Sequence, residues 1–269
     1  MSYNSHRDEL FLVAHMEDHS SLLRAISLRS NSGHLRDVFT RTECGTTPYV
    51  HSVCHMSDSD SLLVCYTDRQ HWLAALRRRG NEWREIPRVQ TGGMGHMCCA
   101  LADSRVLVGE LVSTYLEMFR VESGPRIAHV RIRVPEVYIT FTTICNNEVL
   151  IAMSFRESQT IRVHRLDGDQ LMELSRIQVN LPRHVLWLAD RLFVTEWNAV
   201  KKSHSILELK LRVGQLERIR ELYYSDSIIV DQWCAVDNGL AIYDRNKKEL
   251  LHYNFAITKK NWPTIIRRN

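Results

Sequence analysis

A short sequence pattern recurs along the 269-residue chain and constrains its fold more than any other feature. Each copy is an apolar run, a polar turn and a second apolar run, as in ALADSRVLVG from Ala100, ICNNEVLIA from Ile144 and LWLADRLFVT from Leu186. The centres of the second runs lie 44, 43, 43 and 48 residues apart, at Val64, Val108, Ile151, Val194 and Ile242. An earlier match at Leu12 brings the number of copies to six. A repeat of this length indicates a series of similar supersecondary units.

Each full copy contains four strand-like runs, which in the fifth copy read HVLWLA, RLFVTEW, SILELKLR and LERIRELY. Runs of this length, separated by Asp, Asn or Gly, are typical of antiparallel strands joined by tight turns. Four strands in every 40 to 45 residues predict the blade of a β-propeller. We therefore predict an all-β fold, a single β-propeller over residues 1–269 with six four-stranded blade units, near residues 9–44, 49–91, 95–135, 138–181, 183–225 and 228–267.

The two ends of the chain leave the closure of this propeller open. The first copy begins with the second-strand run ELFLVA and lacks a clear first strand. The ends could therefore share one blade, because closure removes exposed strand edges. Five blades with overlapping ends, or a truncated longer propeller, are the other possibilities.

The repeat resembles the WD40-like β-propeller superfamily over residues 9–267. Gly95-His96 matches the Gly-His pair that precedes the first strand in that superfamily, and His51 and His184 stand at equivalent points. Asp68 and Asp244 match its turn aspartate, but no Trp-Asp pair occurs in the chain. The resemblance implies a divergent propeller in which the hydrogen-bonded His–Ser–Asp–Trp set of that superfamily cannot form completely.

Composition narrows the classes of function. The net charge of +4 is too small, and the arginines too scattered, for a dedicated nucleic-acid binder. No apolar window is long enough to span a membrane, and the polar start does not read as a secretory signal. Seven cysteines without a CxxC pair and no glycosylation sequon favour an intracellular, cytoplasmic or nuclear setting. The sequence leaves self-association open.

Two sets of candidate site residues emerge when the copies are superposed. The first comprises His51, His96 and His184 at the entry to the first strands, with Glu196 nearby, and would lie at the mouth of the central channel. Three imidazoles can bind a divalent metal, or each can hydrogen-bond a neighbouring turn.

The second set lies in the loops after the second strands and forms a predicted binding face. Its members are Asp68, Arg69, Glu110, Arg156, Glu157, Trp197, Asn198, Asp244 and Arg245. The acids could hold calcium at the channel mouth, but Arg156 interrupts them, and Arg69 and Arg245 offer simpler ion-pair partners. We therefore predict no bound metal and no cofactor.

These features favour a non-catalytic protein–protein interaction module whose loop face binds another protein or a peptide. The chain has no Gly-x-Ser-x-Gly elbow and no phosphate-binding Gly-rich loop. The alternative is a metal-dependent hydrolase or lactonase of the six-bladed propeller type, which would use Glu110, Glu196 and Asp244 with a histidine.

Overall fold

The computed structural model is an all-β protein of six four-stranded antiparallel sheets, and it confirms the predicted six-bladed β-propeller. It describes residues 1–15, 21–27, 35–39, 47–56, 60–80, 82–101, 105–110, 113–121, 127–145, 148–222, 230–237, 239–244, 246–254 and 264–266. No helix within these ranges could cross a membrane.

The chain divides into two compact units, Met1–Leu111 with Leu116–Arg131, and Val112–Tyr115 with Ile132–Asn269. The first sheet consists of β1 (Ser2–Asn4), β2 (Glu9–His15), β3 (Ser21–Ser27) and β4 (Leu35–Phe39). The second consists of β5 (Tyr49–Met56), β6 (Ser61–Thr67), β7 (His71–Arg79) and β8 (Glu82–Gln90). The third consists of β9 (Gly95–Ala100), β10 (Arg105–Glu110), β11 (Tyr115–Val121) and β12 (Ile127–Arg133).

The remaining three sheets repeat the same order of four consecutive strands. The fourth consists of β13 (Tyr138–Cys145), β14 (Val149–Phe155), β15 (Thr160–Asp167) and β16 (Gln170–Gln178). The fifth consists of β17 (Pro182–Leu188), β18 (Arg191–Asn198), β19 (Ser203–Arg212) and β20 (Gln215–Leu222). The sixth consists of β21 (Val230–Val236), β22 (Gly239–Asp244), β23 (Glu249–Asn254) and β24 (Thr264–Ile266).

The sheets at the two ends of the chain are each built from one continuous segment. The sequence pattern placed the start of the first blade unit at residue 9, and β1 lies ahead of that point. β1 pairs with β2 through Ser2↔Phe11, Tyr3↔Leu10 and Asn4↔Glu9. The sixth sheet is likewise completed by β24, which follows β23. The two termini therefore do not share a blade.

The hydrophobic core of each unit lies between successive sheets. β6 is buried on both faces, because the first sheet packs against one face and the third sheet against the other. In the second unit, Val194 of β18 packs with Val163 of β15 on one side, whereas the next residue back, Phe193, packs with Leu251 of β23 on the other. The outer strand β20 is mostly exposed, as its charged sequence QLERIREL predicts.

A bulge near the start of the first strand recurs in five of the sheets. In the second sheet Val50 pairs with Tyr66 and Ser52 with Cys65, so His51 is the extra residue. The same shift occurs at His96, Ile139 and Asp231 in the third, fourth and sixth sheets. A bulge redirects one side chain and raises the local twist, so this strand end is where the fold can present irregular side chains.

Candidate functional site

In the fifth sheet, the position equivalent to the predicted histidines lies one residue before His184, because of the bulge. Counting back from the Val185–Val194 pair places His184 opposite Thr195, whose hydroxyl oxygen accepts the His184 N–H at 3.0 Å. Arg183 is then the extra residue, and it is the structural equivalent of His51 and His96. The side chain of His96 lies outside the described part of the chain.

His51 hydrogen-bonds within its own sheet, the second of the two roles expected for it. Its Nε2 lies 2.8 Å from the hydroxyl of Thr67, which also lies 2.9 Å from Nδ1 of His71. The Tyr49 ring packs at 4.9 Å from the His51 ring. This chain of hydrogen bonds joins the ends of β5, β6 and β7.

The predicted acids fall at two different register positions. Glu110, Glu196 and Asp244 pair with Gly95, Pro182 and Val230, each the residue that precedes a bulge. Tyr66 and Phe155 take this position in the second and fourth sheets, so Asp68 and Arg156 lie beyond it. The apolar anchors already show the offset of Asp68, which follows Val64 by four residues, whereas the other three acids follow their anchors by two.

Asp68 closes the turn between β6 and β7. Its Oδ1 accepts the backbone N–H of Arg69 at 2.6 Å and the indole N–H of Trp72 at 2.9 Å, and its Oδ2 lies 3.4 Å from Arg88. The ion-pair partner of Asp68 is therefore Arg88, whereas Arg69 contributes its backbone. Although burial alone would raise it, these hydrogen bonds and Arg88 hold the pKa of Asp68 below its usual value.

Glu110 lies against the glycine-rich link between the second and third sheets. A Cβ on Gly93 would come within 2.8 Å of the Glu110 carboxylate. The neighbouring Gly92 donates its N–H to fully buried Glu117 at 3.1 Å, and Arg131 donates to the same carboxylate at 3.2 Å. The link is therefore a close-packed connection in which these glycines allow backbone and carboxylates to approach.

The remaining members of the predicted binding face range from exposed to fully buried. Arg156 and Glu157 are exposed at the end of β14, and Arg245 lies outside the described residues. The Asn198 side chain accepts the backbone N–H groups of Val200 and Lys201 at 3.1 and 3.0 Å. Asp244 is fully buried and accepts the Asn246 N–H at 3.0 Å.

Glu196 and Trp197 point to opposite faces of β18, because side chains alternate along a strand. Glu196 is half-buried, and burial raises the pKa of its carboxyl group, with Glu221 adding to the rise and Arg218 opposing it. Trp197 instead lies on the face of buried Thr195. The structure therefore separates two residues that are adjacent in the predicted set.

Trp197 belongs to an aromatic and cationic group at the same end of the fifth sheet, which we call the blade-five cluster: Arg183, His184, Trp197, His204 and Trp233. The Trp197 ring lies 5.0 Å from the His204 ring, and the Arg183 guanidinium carbon lies 5.3 Å above the Trp197 ring. His184 lies 6.2 Å from His204 and 6.3 Å from Trp233, measured between ring centroids.

His204 is the most unusual member of this cluster. It is 6% exposed, and its Nδ1 accepts the backbone N–H of Val230 at 2.9 Å. Burial, followed by the charges of His184 and Arg183, lowers the pKa of His204 to about 3. The ring is therefore neutral near pH 7, and because Nδ1 is an acceptor, Nε2 carries the proton. Within the described residues this buried Nε2–H has no hydrogen-bond partner.

The backbone of Arg183 is fixed by the fourth sheet, within the same unit. Its carbonyl oxygen accepts the hydroxyl of Thr140 at 2.6 Å and that of Ser154 at 2.8 Å. The Arg183 side chain is exposed. The bulge therefore holds the start of this side chain firmly while its charged end faces solvent over Trp197.

Sequence reasoning placed His184 and Trp197 at this end but missed Arg183 and His204. The signal for His204 was present: Trp197↔His204 and Thr67↔His71 are equivalent strand pairs, so a histidine recurs at the start of the third strand. Across the described chain, no three His, Cys, Asp or Glu side chains are grouped to hold a metal ion.

No protein-family model and no curated protein matches the chain. Solved structures do match. The periplasmic gluconolactonase of Pseudomonas aeruginosa has a TM-score of 0.64 and 14% identity, covering 94% of this chain and 80% of that one. A putative 6-phosphogluconolactonase from Bacteroides fragilis has a TM-score of 0.64 and 10% identity, covering 98% and 82%. Dihydro-heme d1 dehydrogenase has a TM-score of 0.60 and 14% identity, covering 97% and 56%.

At these identities the matches establish the propeller fold alone. They nevertheless correct the functional expectation drawn from the sequence, because the neighbours above are named for enzymatic activities. The interpretation of the chain as a non-catalytic protein–protein interaction module is therefore wrong. The hydrolase alternative agrees better with the neighbours.

Proposed function

We propose that this chain is a hydrolase of the lactonase type, which opens a cyclic ester of a sugar acid at the blade-five cluster. The observation that carries the proposal is the buried, neutral His204, whose Nε2–H has no partner among the described residues. Because this atom is covered, the proposal requires the side chains over it to move when the substrate enters. The lactonase activities named for two structural neighbours give the proposal its reaction class.

Lactone hydrolysis develops negative charge on the carbonyl oxygen when water attacks the carbonyl carbon. A preorganised N–H donor stabilises that charge most where water is excluded. A neutral imidazole can do this without being protonated at pH 7. The bond from Val230 to Nδ1 holds the ring in the tautomer that presents Nε2–H.

The neighbouring side chains supply the other roles. His184, whose ring lies 6.2 Å from His204, takes the proton of the attacking water as general base. The ring C–O bond of the tetrahedral intermediate then breaks, and the leaving alkoxide takes that proton from His184. Trp197 offers an apolar ring face on which the sugar ring packs. The products are one hydroxy acid and the unchanged side chains.

Two substitutions at residue 204 separate the catalytic and the structural roles of this histidine. In His204→Asn, the amide oxygen can replace Nδ1 as the acceptor for Val230, but the Nε2–H donor is lost. In His204→Gln, the amide nitrogen can replace Nε2–H, but the Val230 N–H loses its acceptor.

The assay is titration of the acid released from glucono-δ-lactone, corrected for spontaneous hydrolysis. We expect His204→Asn to keep its melting temperature and lose about 10²–10³ in kcat, as for removal of one oxyanion donor. We expect His204→Gln to retain more activity but to be less stable by about 1–3 kcal/mol. Equal kcat in the wild type and His204→Asn would overturn the assigned role.

A further inference from the structure

Arg183 is exposed on the blade-five cluster and has no carboxylate partner among the described residues. Other arginines of the same sheet are paired: Arg191 and Arg220 both bind buried Glu208, at 2.9 and 2.6 Å. Arg183 instead lies over the Trp197 ring, with its guanidinium carbon 5.3 Å from the ring centroid. The N–H groups of a guanidinium lie in its plane and can bind an anion side-on.

The turn next to the blade-five cluster is positively charged. The turn from β18 to β19 carries Lys201 and Lys202, both exposed. Its backbone is ordered by Asn198, which accepts the Lys201 N–H. Glu196, the acid of the adjoining strand end, points to the opposite face of β18, where Arg218 and Glu221 are the charged groups that act on it.

We infer that the blade-five cluster selects a substrate carrying a second, anionic group, a phosphate or a carboxylate, which Arg183 binds while the sugar ring packs on Trp197. Guanidinium matches either anion with two parallel hydrogen bonds. The backbone of Arg183 is already held by Thr140 and Ser154, so binding orders only the outer part of the side chain. This inference rests on the proposed function for the reaction. The binding of an anion by Arg183 does not depend on it.

Binding is tested first, by quenching of tryptophan fluorescence with 6-phosphogluconate, glucuronate, glucose 6-phosphate and glucose. The wild type should bind the anionic probes and not glucose. The comparison of glucose 6-phosphate with glucuronate shows which anion Arg183 prefers. Arg183→Gln should weaken binding of the preferred probe by roughly 10- to 100-fold, the value of a charge-assisted hydrogen bond. Arg183→Lys keeps the charge but loses the paired N–H donors of the guanidinium, so its affinity for that probe should fall between those of the wild type and Arg183→Gln.

The matched control is Arg212→Gln, at the far end of the fifth sheet. Arg212 is the last residue of β19, whereas His204 is near the start of that strand. Arg212 forms an exposed ion pair with Glu217 at 3.6 Å. A charge that far away is screened by salt, so probe affinity should change less than about two-fold. Equal losses in Arg183→Gln and Arg212→Gln, or glucose binding as tightly as the anions, would overturn the inference.

Turnover is measured in parallel with glucono-δ-lactone and its 6-phosphate. If neither lactone is hydrolysed but the anionic probes bind through Arg183, the proposed function fails and the anion site stands. If both are hydrolysed and Arg183→Gln leaves their ratio of kcat/KM and all probe affinities unchanged, the anion site fails and the hydrolase stands.

Discussion

Replacing His164 by leucine should stabilise the protein and reduce its sensitivity to acid. His164 lies in β15, is 1% exposed, and packs at 6.4 Å from the ring of Phe155. Neither ring nitrogen has a hydrogen-bond partner among the described residues. A buried polar group without a partner costs about 1–3 kcal/mol in mutational data, and leucine removes that cost while filling a similar space.

The acid sensitivity follows from the pKa of this histidine. Burial, opposed by Glu173 and assisted by Arg162 and Arg176, lowers the pKa of His164 to about 4. The unfolded chain, with a pKa near 6.5, therefore binds the proton first. As far as it depends on His164, the free energy of unfolding has its full value above pH 6.5 and decreases as the pH falls from 6.5 towards 4. The loss approaches 3 kcal/mol, at roughly 1.4 kcal/mol per unit of pKa shift.

The assay is urea unfolding of the wild type and His164→Leu at pH 7.5 and pH 5. We expect the midpoint of His164→Leu to be higher at both values and to change less between them. The remaining change should come from His204 and His55, because burial lowers the pKa of both. His6→Leu is the control, because His6 is exposed in the turn after β1. Lower stability of His164→Leu at pH 7.5, or an unchanged pH dependence, would refute the reasoning.

Two further predictions concern the first unit and the thiols. Gly95→Ala should lower the free energy of unfolding by about 1–3 kcal/mol, because its Cβ would meet Val108 Cγ1 at 2.9 Å; an unchanged melting temperature would contradict this. Burial raises the pKa of Cys54 and Cys234 to about 12, so both thiols should resist iodoacetamide at pH 8 until urea is added. Labelling is followed by mass spectrometry. Equal labelling rates with and without urea would show that these thiols are accessible.

The six sheets could be predicted from the sequence because the repeat encodes them directly. Each apolar second strand, such as LLVC at residues 62–65, is buried on both faces, and the turn residues between runs mark the hairpins. The first strand of the first sheet, Ser2–Asn4, could not be found in this way. Three residues without an apolar run carry no period, and the strand is recognised only by its pairing with β2.

The candidate site was only partly predictable, because one bulge per sheet decides which side chains correspond. A bulge has no composition of its own: the extra residue is His51 in one sheet, Ile139 in another and Arg183 in the fifth. Aligning the apolar runs therefore placed His184 where Arg183 belongs. Likewise, the alternation that sends Glu196 and Trp197 to opposite faces becomes clear only when the strand boundaries are known.

Burial of single polar residues was the third limit. His164 and His204 lie in strands whose sequences alternate apolar and polar residues, and their neighbours do not distinguish a buried imidazole from an exposed one. Burial is decided by the adjacent sheet, which lies tens of residues away in sequence. The contact of His204 with Val230 is one such case, at a separation of 26 residues.

The most direct test of the proposed site is a crystal structure of the wild-type protein soaked with 6-phosphogluconate. The account predicts that the sugar acid lies on Trp197, with one anionic group on Arg183 and an oxygen within hydrogen-bond distance of His204 Nε2. A well-ordered ligand bound away from the fifth sheet, or one at the fifth sheet that contacts neither Arg183 nor His204, would contradict it.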